Sequence, residues 1–206
     1  MKIGKIVSIL KKQYSPLGRT LDPFYVLISC LMSHRTKDEV TYSRAKELFR
    51  KAKTPRQMMK LSVGKIEKLI YPVGFYHVKA RRIKEVSKYL IRHCNGKVPD
   101  KIEELLMIKG VGRKTANIVL THAFRKQGIA VDTHVHRISN RLGYVRTKTP
   151  YETEMALIKK LPKKYWLVFN EMLVTHGKQI CVPVSPFCSR CPISRYCKKS
   201  GVSRSR

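Results

Sequence analysis

The chain has 206 residues, which is enough for one or two compact domains with a buried core. Its 44 Lys and Arg against 13 Asp and Glu give a formal net charge of +31, which favours a polyanionic partner. No apolar run approaches the roughly 18 residues that span a bilayer, and the basic residues are spread along the chain, so nucleic acid is favoured over a membrane.

The N-terminal segment, MKIGKIVSILKKQY, is amphipathic but lacks the apolar core and the small-residue cleavage site of a secretory signal. We therefore expect a cytoplasmic protein associated with the nucleoid. Thiols stay reduced in that compartment, so clustered cysteines there indicate metal binding rather than disulfides.

The hydrophobic pattern is helical nearly throughout and predicts an all-α fold without a flexible hinge. Asp22 is the expected N-cap of a buried first helix, with Pro23 in its first turn. Asn95 and Gly96 are expected to end the long basic helix that precedes them. The predicted helices cover residues 23–32, 36–51, 64–71, 76–94, 101–108, 114–124, 133–142, 152–160 and 163–176.

A short glycine hairpin, Lys109-Gly110-Val111-Gly112-Arg113-Lys114, separates two of these helices. Gly110 and Gly112 allow a tight turn whose N–H groups can bind a phosphate oxygen, and Val111 can plug the turn into the core. A nucleotide-binding loop is excluded because Arg113 stands between the last glycine and the lysine. A plain helical turn and a non-catalytic DNA clamp remain as alternatives.

Lys114 lies at the start of the second helix of the hairpin, and Asp132 follows it by eighteen residues. A lysine amine can attack C1′ of a deoxyribose and form a Schiff base, which then permits strand cleavage by β-elimination. Asp132 precedes a helix and is expected to cap it, which would hold an ionised carboxylate rigidly enough to stabilise a positively charged sugar. His134, two residues later, is expected to face DNA or to support the site.

Near the C-terminus, Cys181, Cys188, Cys191 and Cys197 form a C-x6-C-x2-C-x5-C pattern. This spacing suits a structural Zn²⁺ ion or a [4Fe–4S] cluster, and spacing alone does not decide between them. Arg190 lies within the run and could present positive charge to DNA phosphates.

Taken together, these motifs resemble the endonuclease III family of helix-hairpin-helix DNA glycosylases. The resemblance is carried by the segment from Gly110 to Asn117, by Val131-Asp132-Thr133-His134 and by the spacing of the four cysteines. It extends from about Pro23 to Cys197, which is most of the chain.

The resemblance implies a helical barrel domain at 17–127, and a second helical domain made of 1–16 and 128–206 that carries the cysteine loop. It implies that Lys114 is the Schiff-base nucleophile, that Asp132 is its carboxylate partner and that the cofactor is a [4Fe–4S] cluster, with zinc less favoured. Lys109, Gly110, Val111, Gly112 and Arg113 would grip the DNA backbone.

Three of the predicted DNA contacts depart from the family pattern. Arg35 stands where a glutamine is expected to fill the gap left by a flipped nucleotide, and Phe75 stands where a leucine wedge is expected. Lys109 replaces the usual proline of the hairpin.

The resulting prediction is a monomeric base excision repair enzyme that binds damaged double-stranded DNA, removes oxidised pyrimidines and cleaves the abasic site. One alternative is a DNA-binding module that the cysteine loop stabilises but that has no catalytic turnover. The other is a glycosylase with a different base specificity, for 8-oxoguanine or for uracil or thymine mismatches.

Overall fold

The computed structural model describes residues 3–14 and 20–206, and every regular element in these ranges is helical, which confirms the all-α fold. Within the described residues the α-helices are α1 (Ile3–Tyr14), α2 (Pro23–Ser33), α3 (Asp38–Lys51), α4 (Pro55–Lys60), α5 (Val63–Ile70), α6 (Tyr76–His93), α7 (Ile102–Leu106), α8 (Arg113–Ala123), α9 (Thr133–Arg141), α10 (Pro150–Lys160) and α11 (Trp166–Gln179). None of them is long and apolar enough to cross a membrane.

The caps that the sequence predicts are present in the structure. The Asp22 carboxylate accepts a hydrogen bond from the backbone N–H of Tyr25 at 2.8 Å, and Pro23 opens α2. Asn95 and Gly96 both adopt positive φ values after α6 and end it as expected. These local signals fix where α2 starts and where α6 stops.

Many helix boundaries differ from the prediction by one to three residues, and the predicted helices include neither α1 nor α4. The prediction missed α4, which has only six residues and therefore too little periodicity to detect. Helix α3 begins at Asp38 rather than at residue 36, because the preceding residues form a turn after α2. Helix α11 begins at Trp166, since Lys163–Tyr165 form a separate 3₁₀ turn.

The described residues divide into two compact units. We call residues 20–126 the hairpin unit and residues 3–14 with 127–206 the cysteine unit. The predicted division fell at 16/17 and 127/128, and the first of these boundaries lies outside the described residues. Each unit has a core of its own.

The core of the hairpin unit is organised around α2, which buries seven of its eleven residues. Helices α3, α6 and α8 all pack against α2. A helix that is apolar on most of its surface must be surrounded by others, so the sequence of α2 dictates its central position.

The core of the cysteine unit includes α1, although α1 is remote from the rest of that unit in sequence. Ile6, Val7 and Leu10 of α1 are buried with Phe169 and Leu173 of α11. The amphipathic pattern of the N-terminal segment therefore serves to pack it against α11.

Candidate active site and four-cysteine loop

The glycine hairpin joins α7 to α8 through a tight turn. Gly110 has a φ of +89°, a conformation that a residue with a Cβ rarely adopts, and the N–H of Val111 donates to the carbonyl of Ile108 at 2.9 Å. The Val111 side chain is only 5% exposed and belongs to the core of the hairpin unit. This confirms the prediction that the buried Val111 side chain anchors the turn to the core.

Arg82 of α6 supports the outer side of this turn. Its guanidinium donates to the carbonyl of Lys109 at 3.3 Å, and a Cβ on Gly110 would lie 2.9 Å from the Cδ and Nε atoms of Arg82. Gly110 is therefore needed for its backbone angle and for the close approach of Arg82. The sequence gives no sign of this contact, because 27 residues separate Arg82 from Lys109.

Helix α8 anchors Lys114 through its buried face. Ala116, Val119, Leu120 and Ala123 are all buried, as their spacing predicts, and the helix packs against α2. Lys114 lies in the first turn of α8 and is half-buried. Its position is thus set by the packing of α8 and by the hairpin that precedes it.

Lys114 lines a groove of about 710 Å³ that lies wholly within the hairpin unit. The groove brings together four of the predicted site residues, Arg35, Phe75, Gly110 and Lys114, whereas Lys109, Val111, Gly112 and Arg113 form the adjoining hairpin without lining it. Its full lining is Leu31, Ser33, His34, Arg35, Phe75, Val78, Lys79, Arg82, Gly110 and Lys114.

Arg35 and Phe75 lie side by side at the groove. The Arg35 guanidinium carbon is 5.7 Å from the centre of the Phe75 ring, and that ring is part of a residue that is 61% exposed. Both residues have positive φ values, 51° and 58°, a left-handed conformation that costs a non-glycine residue about 1 kcal/mol or more. The strained backbone of each turn therefore sets the direction in which its side chain extends.

Lys79 of α6 also lines the groove, although nothing in its sequence context predicts this. It is 7% exposed, and its amine donates to the carbonyls of Met32 and His34 and to the hydroxyl of Thr36. Burial lowers the pKa of Lys79 to about 8. Burial also lowers the pKa of His34, and the positive charges of Lys114 and Lys79 add to that effect.

In the cysteine unit, Asp132 is the N-cap of α9, as predicted. Its Oδ1 accepts hydrogen bonds from the backbone N–H groups of His134 and Val135, both at 2.9 Å. Because a carboxylate that accepts two such bonds has little freedom to move, Asp132 is held at a defined point at the start of α9.

His134, predicted to face DNA or to support the site, packs within the cysteine unit. It lies so close to Gly177 of α11 that a Cβ there would be 2.5 Å from its Nδ1 atom. The guanidinium of Arg137 lies 3.1 Å from the same nitrogen. These contacts fix the start of α9 against α11.

The four cysteines of the C-terminal run line one small cavity of the cysteine unit. The other walls are mainly apolar and include Ile138, Leu142, Phe187 and Ile193. In the described part of the chain, no three His, Cys, Asp or Glu side chains form a group that could hold a single metal ion. The four thiols that the sequence predicts as ligands line this largely apolar cavity, but they do not form such a group.

Hydrogen-bond donors surround the cysteine sulfurs. The Sγ of Cys181 accepts from the guanidinium of Arg141 at 3.4 Å, and the Sγ of Cys197 accepts from the backbone N–H of Lys199 at 3.3 Å. Arg141 also donates to the carbonyls of Val182 and Pro183, which braces the start of the loop. Burial raises the pKa of Cys197, and the backbone N–H of Lys199 opposes that effect.

A buried histidine adjoins a third sulfur. The Nε2 atom of His176 is 3.6 Å from the Sγ of Cys191, and the phenol of Tyr14 lies 2.9 Å from its Nδ1 atom. Burial lowers the pKa of His176 to about 4, and burial with the nearby Cys191 raises the pKa of Tyr14 to about 12. The sequence could not have identified this chain of contacts, since it joins α1, α11 and the loop.

Arg190 lies on the exposed part of the loop. Its guanidinium stacks 4.2 Å from the centre of the Phe187 ring, and the guanidinium of Arg206 stacks 4.1 Å from the same ring. Stacking on an aromatic ring holds a guanidinium in place while leaving its edge free to meet an anion. The loop therefore presents ordered positive charge.

Comparison with known proteins gives the family of the chain. Residues 28–163 match the HhH-GPD superfamily base excision DNA repair protein family. The chain is 46% identical over 196 residues to endonuclease III of Thermotoga maritima, covering 95% of this chain and 92% of that protein. The chain belongs to the endonuclease III family. The family resemblance that the motifs indicated is thereby confirmed.

Two solved structures extend the comparison. A trapped endonuclease III–DNA covalent intermediate is 34% identical to this chain, with a TM-score of 0.86 over 96% of this chain and 95% of that one. A thermostable thymine-DNA glycosylase is 26% identical, with a TM-score of 0.83 over 95% of both chains. This chain therefore shares its fold with both of these proteins.

The two hairpin glycines provide a matched test of the geometry of the turn. We expect Gly110→Ala to lower the free energy of unfolding by about 1–2 kcal/mol or more, because a left-handed alanine is strained and its Cβ meets Arg82. At Gly112 an added Cβ meets nothing within 4 Å, so Gly112→Ala should cost about 0.5 kcal/mol. Urea denaturation measures both, and equal losses would contradict the structure.

Proposed function

We propose that this protein is a base excision repair enzyme that removes damaged pyrimidines from duplex DNA and then cleaves the abasic strand through a Schiff base on Lys114. The observation that carries the proposal is the position of Lys114. It lies in the first turn of α8, directly after the hairpin, and lines the groove beside Arg35 and Phe75. Membership of the endonuclease III family supports the same activity.

Lys114 supplies the nucleophile of the reaction. Its neutral amine attacks C1′ of the deoxyribose, the glycosidic bond breaks, and the base leaves with the bonding electron pair and takes up a proton. The C1′–O4′ bond of the sugar then breaks, O4′ takes up a proton from solvent, and an iminium ion joins C1′ to the Lys114 nitrogen. Loss of a C2′ proton then expels the 3′ phosphate and cuts the strand. Endonuclease III has been trapped as a covalent intermediate on DNA, in agreement with such a mechanism.

We assign Asp132 the role of an ionised carboxylate that stabilises positive charge on the sugar as the base departs. The assignment rests on the segment Val131–His134, which resembles the motif of the family, and on the N-cap contacts that hold the carboxylate. A carboxylate fixed before the reaction does not have to reorganise during it, which is what makes electrostatic stabilisation effective.

The hairpin and the groove bind the DNA in this proposal. The N–H groups near Gly110 and Gly112, beside the N-terminus of α8, bind a phosphate, and Lys109 and Arg113 add positive charge. Arg35 and Phe75 occupy the space that a flipped nucleotide leaves in the duplex. Arg190, and His134 at the start of α9, contribute further DNA contacts.

The four cysteines hold a [4Fe–4S] cluster in this proposal. Four thiols around an apolar cavity, with N–H donors near their sulfurs, fit such a cluster, whose properties depend on these hydrogen bonds and on exclusion of water. When bound, the cluster would cross-link the loop through its four cysteines and so hold Arg190 in position. Zinc is the alternative occupant by donor chemistry, since four thiolates also suit it, although the thiols of the described residues do not form a ligand group for one ion.

A second candidate function is a glycosylase of different base specificity. The thermostable thymine-DNA glycosylase shares the fold at 26% identity, so the fold is compatible with other target bases. Lys114 favours the combined glycosylase and lyase activity, because excision without strand cleavage needs no Schiff base. Rates on duplexes that carry an oxidised pyrimidine, a thymine mismatch or 8-oxoguanine separate these specificities.

The nucleophile is tested by reduction of the Schiff base. With borohydride and a duplex that contains an oxidised pyrimidine, the wild-type protein should form a stable covalent adduct that is visible by gel electrophoresis. Lys114→Ala should form none, because the amine of Lys79, the other described lysine that lines the groove, is bonded to three protein oxygens. The exposed Lys101 gives the control, and Lys101→Ala should form the adduct at the wild-type rate. An undiminished adduct in Lys114→Ala would exclude Lys114 as the nucleophile.

The charge of Asp132 can be separated from its capping role. Asp132→Asn keeps an oxygen that accepts from His134 and Val135, so the free energy of unfolding should change by less than about 0.5 kcal/mol. The single-turnover rate of base excision should fall by about 100-fold or more, because the negative charge is lost. The matched control is Asp22→Asn at the N-cap of α2, which should leave the rate unchanged. Equal rates in both variants would contradict the assignment.

The cofactor is tested by analysis of the purified protein. We expect about four iron atoms and about four acid-labile sulfides per chain, with the brown colour of a [4Fe–4S] cluster. Cys188→Ser should lose most of the iron, whereas Cys94→Ser, which alters a free cysteine of the hairpin unit, should retain it. Stoichiometric zinc in a colourless protein would overturn the cluster proposal.

A further inference from the structure

We infer that Lys79 is a positioning residue that fastens the turn carrying Arg35 to the turn carrying Phe75, so that both side chains enter duplex DNA as one preformed wedge. The inference rests on the proposed function, because it takes Arg35 and Phe75 as the residues that fill the duplex. Lys79 itself acts only through them.

The first observation is the set of acceptors around the Lys79 amine. It donates to the carbonyl of Met32 at 2.7 Å, to the carbonyl of His34 and to the hydroxyl of Thr36 at 3.0 Å. The last carbonyls of a helix have no partner within the helix, and α2 ends at Ser33. A single ammonium group thus binds carbonyls at the end of α2 and in the turn that follows it, and that turn contains Arg35.

The second observation is that the same hydroxyl joins the other turn. The Thr36 Oγ1 atom also accepts a hydrogen bond from the backbone N–H of Gly74 at 3.1 Å. Gly74 directly precedes Phe75, and Lys79 belongs to the first turn of α6 that follows Phe75. The turn of Phe75 is therefore tied to Thr36 on one side and, through Lys79, to the end of α2 on the other.

The third observation is how closely the two turns approach. A Cβ on Gly74 would lie 2.6 Å from the carbonyl oxygen of Arg35, so only glycine allows this backbone contact. Arg35 and Phe75 are both left-handed, and such strain persists only where surrounding contacts fix the backbone. The contacts of Lys79, Thr36 and Gly74 are the ones that do so here.

The burial of Lys79 supports a positioning role rather than direct contact with DNA. The residue is 7% exposed, and its amine points to three protein oxygens within the hairpin unit. A lysine that binds phosphate needs its ammonium at the surface. The only described ammonium with comparable partners on α6 is that of Lys84, which donates to the carbonyls of Met59 and Leu61 at 2.6 and 2.7 Å.

The test compares two substrates, of which only one needs the wedge. The first is a duplex with an oxidised pyrimidine, where the flipped nucleotide leaves a gap. The second is a single-stranded oligonucleotide with an abasic site, where there is no stack to fill. We expect Lys79→Met to slow the single-turnover reaction by about 10- to 100-fold on the duplex, and by less than about threefold on the single strand.

Lys84→Met is the matched control, because it removes the same kind of contact from the same helix at a residue that does not line the groove. For Lys84→Met, the change in rate relative to wild type should be the same on the duplex as on the single strand. Thr36→Val should reproduce the selective loss on the duplex, and Thr36→Ser should restore the rate because it keeps the hydroxyl. Thr36→Val carries the test if Lys79→Met does not fold.

Equal losses on both substrates for Lys79→Met and Thr36→Val would overturn the inference, as would a selective loss on the duplex for Lys84→Met. The proposed function fails separately. If it fails, the wild-type protein gives no borohydride adduct on either substrate. If only the inference fails, the wild-type adduct still forms, but Lys79→Met and Thr36→Val leave the ratio of the duplex rate to the single-strand rate as it is in the wild type.

Discussion

The packing of α8 against α2 is the interaction on which the site of the hairpin unit depends. The small side chains Ala116 and Ala123 let α8 lie close to its neighbours, and Val111 holds the preceding turn in the same core. The end of α2 leads into the turn of Arg35, while the start of α8 carries Lys114. One helix contact therefore places Lys114 and the turn of Arg35 on the same groove.

Two lysines line this groove, and burial separates their roles. Lys79 is enclosed and donates to three oxygens, so its amine serves the backbone of the hairpin unit. Lys114 lies at the first turn of a helix, where the chain opens to the groove. Burial lowers the pKa of Lys79 to about 8, so a low pKa alone does not identify a nucleophile. The position of Lys114 in the first turn of α8 is what supports it as the proposed nucleophile.

Much of the site could be predicted because its signals are local in sequence. The hairpin glycines, the buried stripe of α8 and the N-cap at Asp132 each depend on residues within one or two turns. Lys79, Arg82 and Arg141 could not be predicted in the same way. Their partners lie 27 to 47 residues away, and a basic residue on a basic helix carries no mark of the carbonyl that it contacts. Which distant carbonyl each of these basic side chains contacts is determined by the fold.

The most direct measurement is to locate the covalent bond itself. The borohydride-reduced adduct can be digested and its modified peptide sequenced by mass spectrometry, which distinguishes Lys114 from the other lysines of the groove and hairpin. We expect the deoxyribose remnant on Lys114 alone. A remnant on Lys79 or on Lys109 would contradict it, since the nucleophile would then lie elsewhere than on the first turn of α8.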